Sequence, residues 1–192
     1  MAKGHKDKVA VITGAANGIG QAFAQRLAED GVHIAVVDLV DGAETVKLAE
    51  SSGRQAIAVN CDVSSEQSVA NMAAQVQAKF SHVDIVINCA GIFPQKEFAE
   101  MTFGDWRKVL SINLDGTFLV TAAFVPGMRA RKWGRVVKQV TASSRPTAAN
   151  PYYRLSDEYY GYSDPYRGLY DFLAMPPYIP GYTYGHTRMP VR

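Results

Sequence analysis

No tyrosine precedes Tyr152 and no lysine follows Lys138 in this 192-residue chain. All ten tyrosines and seven of the nine prolines fall in the last stretch, from Pro146 on. Cysteine is scarce as well. Cys61 and Cys89 are the only two, and neither has a C-x-x-C partner or a metal-like spacing. That excludes a disulfide framework and reads as two reduced thiols in a cytosolic protein. Charge of one sign is missing too: the net charge is +2, and no block of like charge marks a nucleic-acid or membrane surface. The apolar run after the charged start MAKGHKDK is only VAVI, far too short for a signal peptide or a membrane span. The expectation is a soluble, cytoplasmic protein with no nucleic-acid and no membrane partner. Tyrosine and arginine together can stack on single strands, but Asp157, Glu158, Asp164 and Asp171 stand among them and weigh against it.

What is present points to one α/β domain. Hydrophobic residues make up 47% of the chain, enough for a sizeable core. Strand-length apolar runs occur at 8–13 (KVAVIT), 33–38 (HIAVVD), 55–59 (QAIAV), 84–88 (DIVIN) and 134–137 (GRVV). They are continuous rather than alternating, as in strands buried on both faces of a parallel sheet. Helical patterns lie between them. Ile19, Ala22, Phe23 and Leu27 share one face of a helix that ends at Asp30-Gly31. Val69, Met72, Ala73, Val76 and Phe80 share a face of another, and Ser64 with Gln67 offers it a capping box. A third, long helix starts near Thr102 and carries Trp106, Val109, Leu110, Phe118 and Phe124. Strand and helix in alternation predict a Rossmann-like doubly wound parallel sheet, a three-layer αβα sandwich.

The segment TGAANGIG (13–20) joins the first strand to the first helix. Glycine lets backbone approach an anion, and a helix N-terminus offers free N–H groups and the positive end of a dipole. Gly14, Gly18 and Gly20 supply the glycines, spaced G-x-x-x-G-x-G. Three glycines alone fit an ordinary turn equally well. Asp38, at the end of the second strand, shifts the balance. A carboxylate there can accept hydrogen bonds from ribose hydroxyls and repels a 2′-phosphate, which favours NAD over NADP. Asp38 also fits a solvated strand end.

Together these segments resemble the short-chain dehydrogenase/reductase family over about residues 6–137. The glycine segment matches its glycine motif, Cys61-Asp62-Val63 its adenine-contacting segment, and Asn88-Cys89-Ala90-Gly91 its N-N-A-G motif with Cys89 in place of the second Asn. Trp106 and the run 111–118 (SINLDGTF) match its long fourth-crossover helix, and 133–137 (WGRVV) the start of its fifth strand. The resemblance implies a cofactor site of Gly14, Asn17, Gly18, Ile19, Gly20, Asp38, Leu39, Asp62, Val63, Asn88, Ala90 and Gly91. Asp62 would bond the adenine amino group, although it also fits a helix-entry Asp. Asn113 would hold a water in a proton relay and open the helix locally; by itself it also fits a helix Asn at a kink. The implied activity is NAD(H)-dependent hydride transfer between a secondary alcohol and a ketone.

That chemistry implies further groups. Family members hold the substrate oxygen with a Ser and pass its proton with a Tyr, whose pKa a Lys four residues on lowers. A free Tyr has a pKa of about 10, so roughly one in a thousand is phenolate at pH 7 and a nearby cation is required. Here the Ser position falls on Thr141, with Ser143 or Ser144 as substitutes, and the Tyr position near Tyr152 or Tyr153. Four residues after these stand Ser156 and Asp157, so Y-x-x-x-K is absent. Tyr184 with Arg188 is the nearest substitute, and it lies far beyond the expected place.

From Lys138 on, the strand pattern fails, apart from a possible short helix near 166–174. Three readings of 138–192 stand open: a frameshifted end, a divergent cap, or disorder. The sheet is then expected to be incomplete at its C-terminal edge. A homo-oligomer is in doubt, because the family's pairing helix is not found. The functional alternatives to a working enzyme are a catalytically silent dinucleotide-binding module and a non-functional truncated member.

Overall fold

A computed structural model of the chain describes residues 4–94 and 96–139. The five apolar runs form five parallel strands: β1 (Val9–Thr13), β2 (His33–Asp38), β3 (Ala56–Asn60), β4 (Ile85–Asn88) and β5 (Arg135–Lys138). Their order across the sheet is β3-β2-β1-β4-β5. Every residue of β1 and β4 is buried, which is why these strands are apolar on both faces. Register runs from Val9 opposite His33 to Thr13 opposite Val37, and from Ala10 opposite Ile85 to Thr13 opposite Asn88.

The described residues form five α-helices: α1 (Gly18–Glu29), α2 (Ala43–Ser51), α3 (Glu66–Phe80), α4 (Phe103–Leu110), which buries none of its residues, and α5 (Gly116–Ala130). Alternation along the strands divides their side chains between two layers. Val9, Val11, Ala35, Val37 and Val86 pack with Val69, Met72 and Val76 of α3 and Val120, Phe124 and Met128 of α5. Residues of the other parity, among them Ala10, Ile12, Ile34, Val36, Ile85 and Ile87, are also buried. They belong to the opposite face, where α1 contributes buried Phe23, Ala24 and Leu27. The result is the three-layer doubly wound sandwich that the pattern predicts.

The structure differs from the sequence pattern in four places. α2 has no counterpart there, because only Thr45 and Ala49 of its nine residues are buried and no apolar stripe shows. The N-cap of α3 is Ser65, accepting from the Ser68 N–H at 3.3 Å, and not Ser64. Ser64 is diverted to Asp62, donating from its hydroxyl at 2.6 Å and from its N–H at 2.9 Å. β5 does not stop at Val137: Lys138 pairs with Asn88, and the Gln139 N–H donates to the Asn88 carbonyl at 3.0 Å. Finally, the long third helix is two α-helices joined by a π-helical turn, Ser111–Asp115.

The segment Phe103–Ala130 is long and apolar enough to cross a membrane by length and composition. Val120, Phe124 and Met128 nevertheless dock into the sheet core, as a core helix does. Its other side leaves Trp106, Leu114 and Phe118 exposed at 51%, 61% and 69%.

Candidate functional site

Strand order reverses between β1 and β4, each connected onward to opposite sides of the sheet. A crevice opens beyond the carboxyl ends of strands at such a point. Here the ends are Gly14, after β1, and Cys89-Ala90-Gly91, after β4. Gly14 takes φ +64°, and a Cβ on it would lie 2.8 Å from the Ala90 nitrogen. A Cβ on Gly20 would lie 2.1 Å from the Gly14 carbonyl oxygen. Both glycines are therefore required by backbone packing, independent of any ligand.

Polar side chains turn this loop's carbonyls inward. The Thr45 hydroxyl is shared between the Ala15 and Ala16 carbonyls at 2.9 and 3.2 Å. Gln21 Nε2 donates to Thr45 Oγ1 at 2.9 Å and to the Ala16 carbonyl at 3.3 Å. Asp38 Oδ2 accepts from the Ala16 N–H at 2.9 Å, and Oδ1 from the Val40 N–H at 3.3 Å. Asp38 thus braces the glycine loop besides facing the crevice. α1 begins at Gly18 with no side-chain cap and no acidic residue in its first turn. Its leading N–H groups and dipole end remain for an anion.

The far side is built by β4, β5 and the π-helical turn. Thr13 Oγ1 accepts from the Ala90 N–H at 3.1 Å. Asn113 lies in the π turn, and its amide bonds Ile92 twice: Oδ1 accepts from the Ile92 N–H at 2.8 Å, and Nδ2 donates to the Ile92 carbonyl at 2.9 Å. The π turn removes one ordinary helical bond, and the Thr117 hydroxyl donates to the Asn113 carbonyl at 2.8 Å. Asn113 therefore clamps the segment after Gly91. Asp62 occupies one carboxylate oxygen with Ser64. Lys138, at the end of β5, reaches the Ala90 carbonyl with Nζ at 3.4 Å.

These groups surround a cavity of about 760 Å³. Gly14, Asn17, Gly18, Ile19, Gly20, Asp38, Leu39, Asp62, Val63, Ala90, Gly91 and Asn113 line it, all residues that the sequence nominates. Asn88 does not. It is buried behind the cavity, Nδ2 donating to Thr121 Oγ1 at 3.2 Å, with Oδ1 lacking a partner among the described residues. Val40, Cys89, Phe93, Ile112, Lys138 and Gln139 also line the cavity, and no sequence motif marks them for it. Lys138 and Gln139 had a signal, two polar residues continuing a buried strand, which reads equally as the strand's end. Thr141, Ser143 and Tyr153 lie outside the described residues.

The electrostatics are polarised. Asp38 and Asp62 are the cavity's carboxylates, and among the described residues Lys138 is its one cation. Burial pushes the Cys89 thiol up to about 12, against the opposing pull of Lys138, so it is neutral and unreactive at neutral pH. Burial also lowers the Lys138 ammonium from its ordinary value. Burial raises the Cys61 thiol, with a Ser68 hydrogen bond working the other way. The donors, glycine approach and carboxylates fit an elongated ligand with an anionic middle and a hydroxyl-rich end. A dinucleotide has that chemistry.

A family model described as short chain dehydrogenase matches residues 8–156, running past Val137. The chain is 34% identical to the short-chain reductase protein NovJ of Streptomyces niveus, over 77% of this chain and 57% of that protein. It is 38% identical to a D-threitol dehydrogenase of Mycolicibacterium smegmatis, over 71% of this chain and 54% of that one. Among solved structures, a putative short-chain alcohol dehydrogenase from Sinorhizobium meliloti 1021 superposes with a TM-score of 0.69 at 31% identity. That match covers 75% of this chain and 59% of the other. An Escherichia coli hydroxysteroid dehydrogenase gives 0.67 at 31% identity, covering 70% and 58%. The chain spans little more than half the length of the curated relatives it matches.

Proposed function

The chain belongs to the short chain dehydrogenase family of oxidoreductases, and on that footing we propose that it binds NAD(H) in the crevice between β1 and β4 and interconverts a secondary alcohol and a ketone. One observation carries the binding half of this reading. The 760 Å³ cavity has an uncapped helix N-terminus at its middle and Asp38 at one end. The first-turn N–H groups of α1 would receive the pyrophosphate. Asp38 would accept from the adenosine ribose hydroxyls and disfavour the 2′-phosphate of NADP. Asp62 has a carboxylate side free of Ser64 for the adenine amino group. Ala90 and Gly91 would line the nicotinamide end.

The bound cofactor supplies or accepts the hydride. The chain's own residues orient the reacting carbon, exclude water and move the proton at the substrate oxygen. Asn113 keeps the Gly91–Ile92 segment in place. Thr141, with Ser143 as substitute, would hold the oxygen, and Tyr153 would pass the proton. The substrate is a small-molecule alcohol or ketone. A second reading, a dinucleotide-binding module without turnover, is favoured by one observation: no lysine follows Lys138, so neither Tyr152 nor Tyr153 has the lysine partner four residues on.

The first test is a thermal melt with and without NAD and NADP. Binding to the native state alone raises the melting temperature. A rise with NAD exceeding that with NADP supports the cofactor site; no rise with either refutes it. Oxidation of a secondary-alcohol panel, lost in Tyr153→Phe, then separates enzyme from silent module. NAD binding without turnover supports the silent module.

A further inference from the structure

Lys138 has no ion-pair partner among the described residues. It closes β5 opposite Asn88, on a strand otherwise set against the core through Val136. Its side chain reaches over the end of β4, and Nζ makes one long bond, 3.4 Å, to the Ala90 carbonyl. An ammonium carries three donors, so this leaves capacity unspent. No described carboxylate lies within ion-pair distance of it. The groups around that end of the cavity are uncharged: a protonated Cys89, Ala90, Gly91, Ile112, Gln139, and Asn113 with its amide committed to Ile92. The carboxylates are Asp38 and Asp62. Among the described residues, one end of the cavity is therefore acidic and the Ala90–Gly91 end carries a single positive charge.

We propose that Lys138 sets which redox form of the dinucleotide this cavity prefers: its ammonium opposes the cationic ring of NAD+ and tolerates the uncharged ring of NADH. The inference rests on the proposed reading, in which the adenosine ribose lies at Asp38 and the nicotinamide at Ala90–Gly91. NAD+ and NADH share the adenosine, both riboses and the pyrophosphate. A difference between their affinities isolates the ring and its charge. Lys138 is exposed at the rim of the cavity, and like charges there, separated by less than a screening length, alter affinity roughly threefold to tenfold. Arginine keeps a permanent charge at the position, whereas methionine keeps length and removes charge.

The test is calorimetric titration of the full chain with NAD+, NADH and ADP-ribose, in wild type, Lys138→Met and Lys138→Arg, with Lys138→Gln as a second neutral variant should the methionine fail to fold. The inference predicts that wild type favours NADH. The neutral variant lowers the NADH preference at least threefold by tightening NAD+, Lys138→Arg keeps that preference, and ADP-ribose affinity changes little. An unchanged NAD+/NADH ratio in the neutral variant overturns the inference while leaving the cofactor site intact. A uniform loss for all three ligands also overturns it, showing Lys138 to hold an oxygen common to them. Failure of wild type to bind any of the three refutes the cofactor reading itself.

Discussion

Replacing Asn113 tests the clamp that joins the π-helical turn to the cavity. In Asn113→Ala, the Ile92 N–H and carbonyl both lose their partner, at 2.8 and 2.9 Å. A net hydrogen bond contributes about 0.5–1.5 kcal/mol, and Ile92 is part-buried, so water replaces the bonds incompletely. The expected cost is about 1–3 kcal/mol, or roughly 3–9 °C in melting temperature for a domain of this size. Asn113→Asp is the sharper variant. It keeps the acceptor for the Ile92 N–H but turns the donor into a carboxylate oxygen facing the Ile92 carbonyl. At pH 7 it should be less stable than Asn113→Ala. The protonated acid can donate to that carbonyl, so its folded pKa is raised. Its stability is fully present below about pH 4, the unfolded value, and is lost as pH rises through the folded value. The assay is urea unfolding of wild type and both variants from pH 4 to pH 7. Wild-type stability for Asn113→Asp at pH 7, or a change under about 0.5 kcal/mol for Asn113→Ala, would refute the clamp.

Four other predictions follow the same geometry. Gly14→Ala meets both a φ of +64° and a 2.8 Å approach to Ala90, so it should lower the melting temperature and abolish any NAD-induced rise. Asp38→Ala removes the acceptor for Ala16 and Val40, so by differential melting it should lower stability and erase discrimination between NAD and NADP. Cys89 keeps its proton in the folded chain up to about 12, whereas an unfolded thiol loses it near pH 8.5. More protons are then bound by the folded state, so the stability of wild type relative to Cys89→Ala should fall as pH rises from about 9 to about 12, measured by denaturant unfolding. The Asp105 carboxylate is held well below the usual range by Lys96 and Thr102 and completes the α4 capping box. Acidification below about pH 4 should therefore lower amide protection factors in the first turn of α4, and Asp105→Ala should do so at neutral pH.

The sheet was legible because its strands are buried on both faces: 33–38 could be read to the residue, since every interior position is apolar. α3 is legible from a single apolar face; on α1 Phe23 and Leu27 are buried as that reading expects, but Ile19 is exposed at the cavity and Ala22 is half-buried, with Ala24 and Ala28 buried instead. α2 is not legible, because Thr45 and Ala49 are its only buried residues and Thr45 is spent on the glycine loop. The periodicity at 111–115 reads as unbroken helix, since a π turn changes hydrogen bonding and not composition; the local opening there is implied by the family resemblance through Asn113 alone, and the π turn agrees with it. Most of the cavity lining was legible from glycines and strand-end acids. Asn88 was placed with the lining residues by its motif, yet its side chain faces Thr121 in the core. Lys138 reads in the sequence as the break in a strand, whereas it is the strand's last residue and, among the described residues, the cavity's cation.

The most direct test of the cofactor site is an amide NMR titration of the chain with NAD+. The account predicts shifts concentrated at Gly18, Ile19, Asp38, Asp62, Ala90 and Gly91, around the cavity, with His82 and Trp133 at the opposite end of the strands unmoved. Shifts confined to that opposite end, or none at millimolar NAD+, would contradict it.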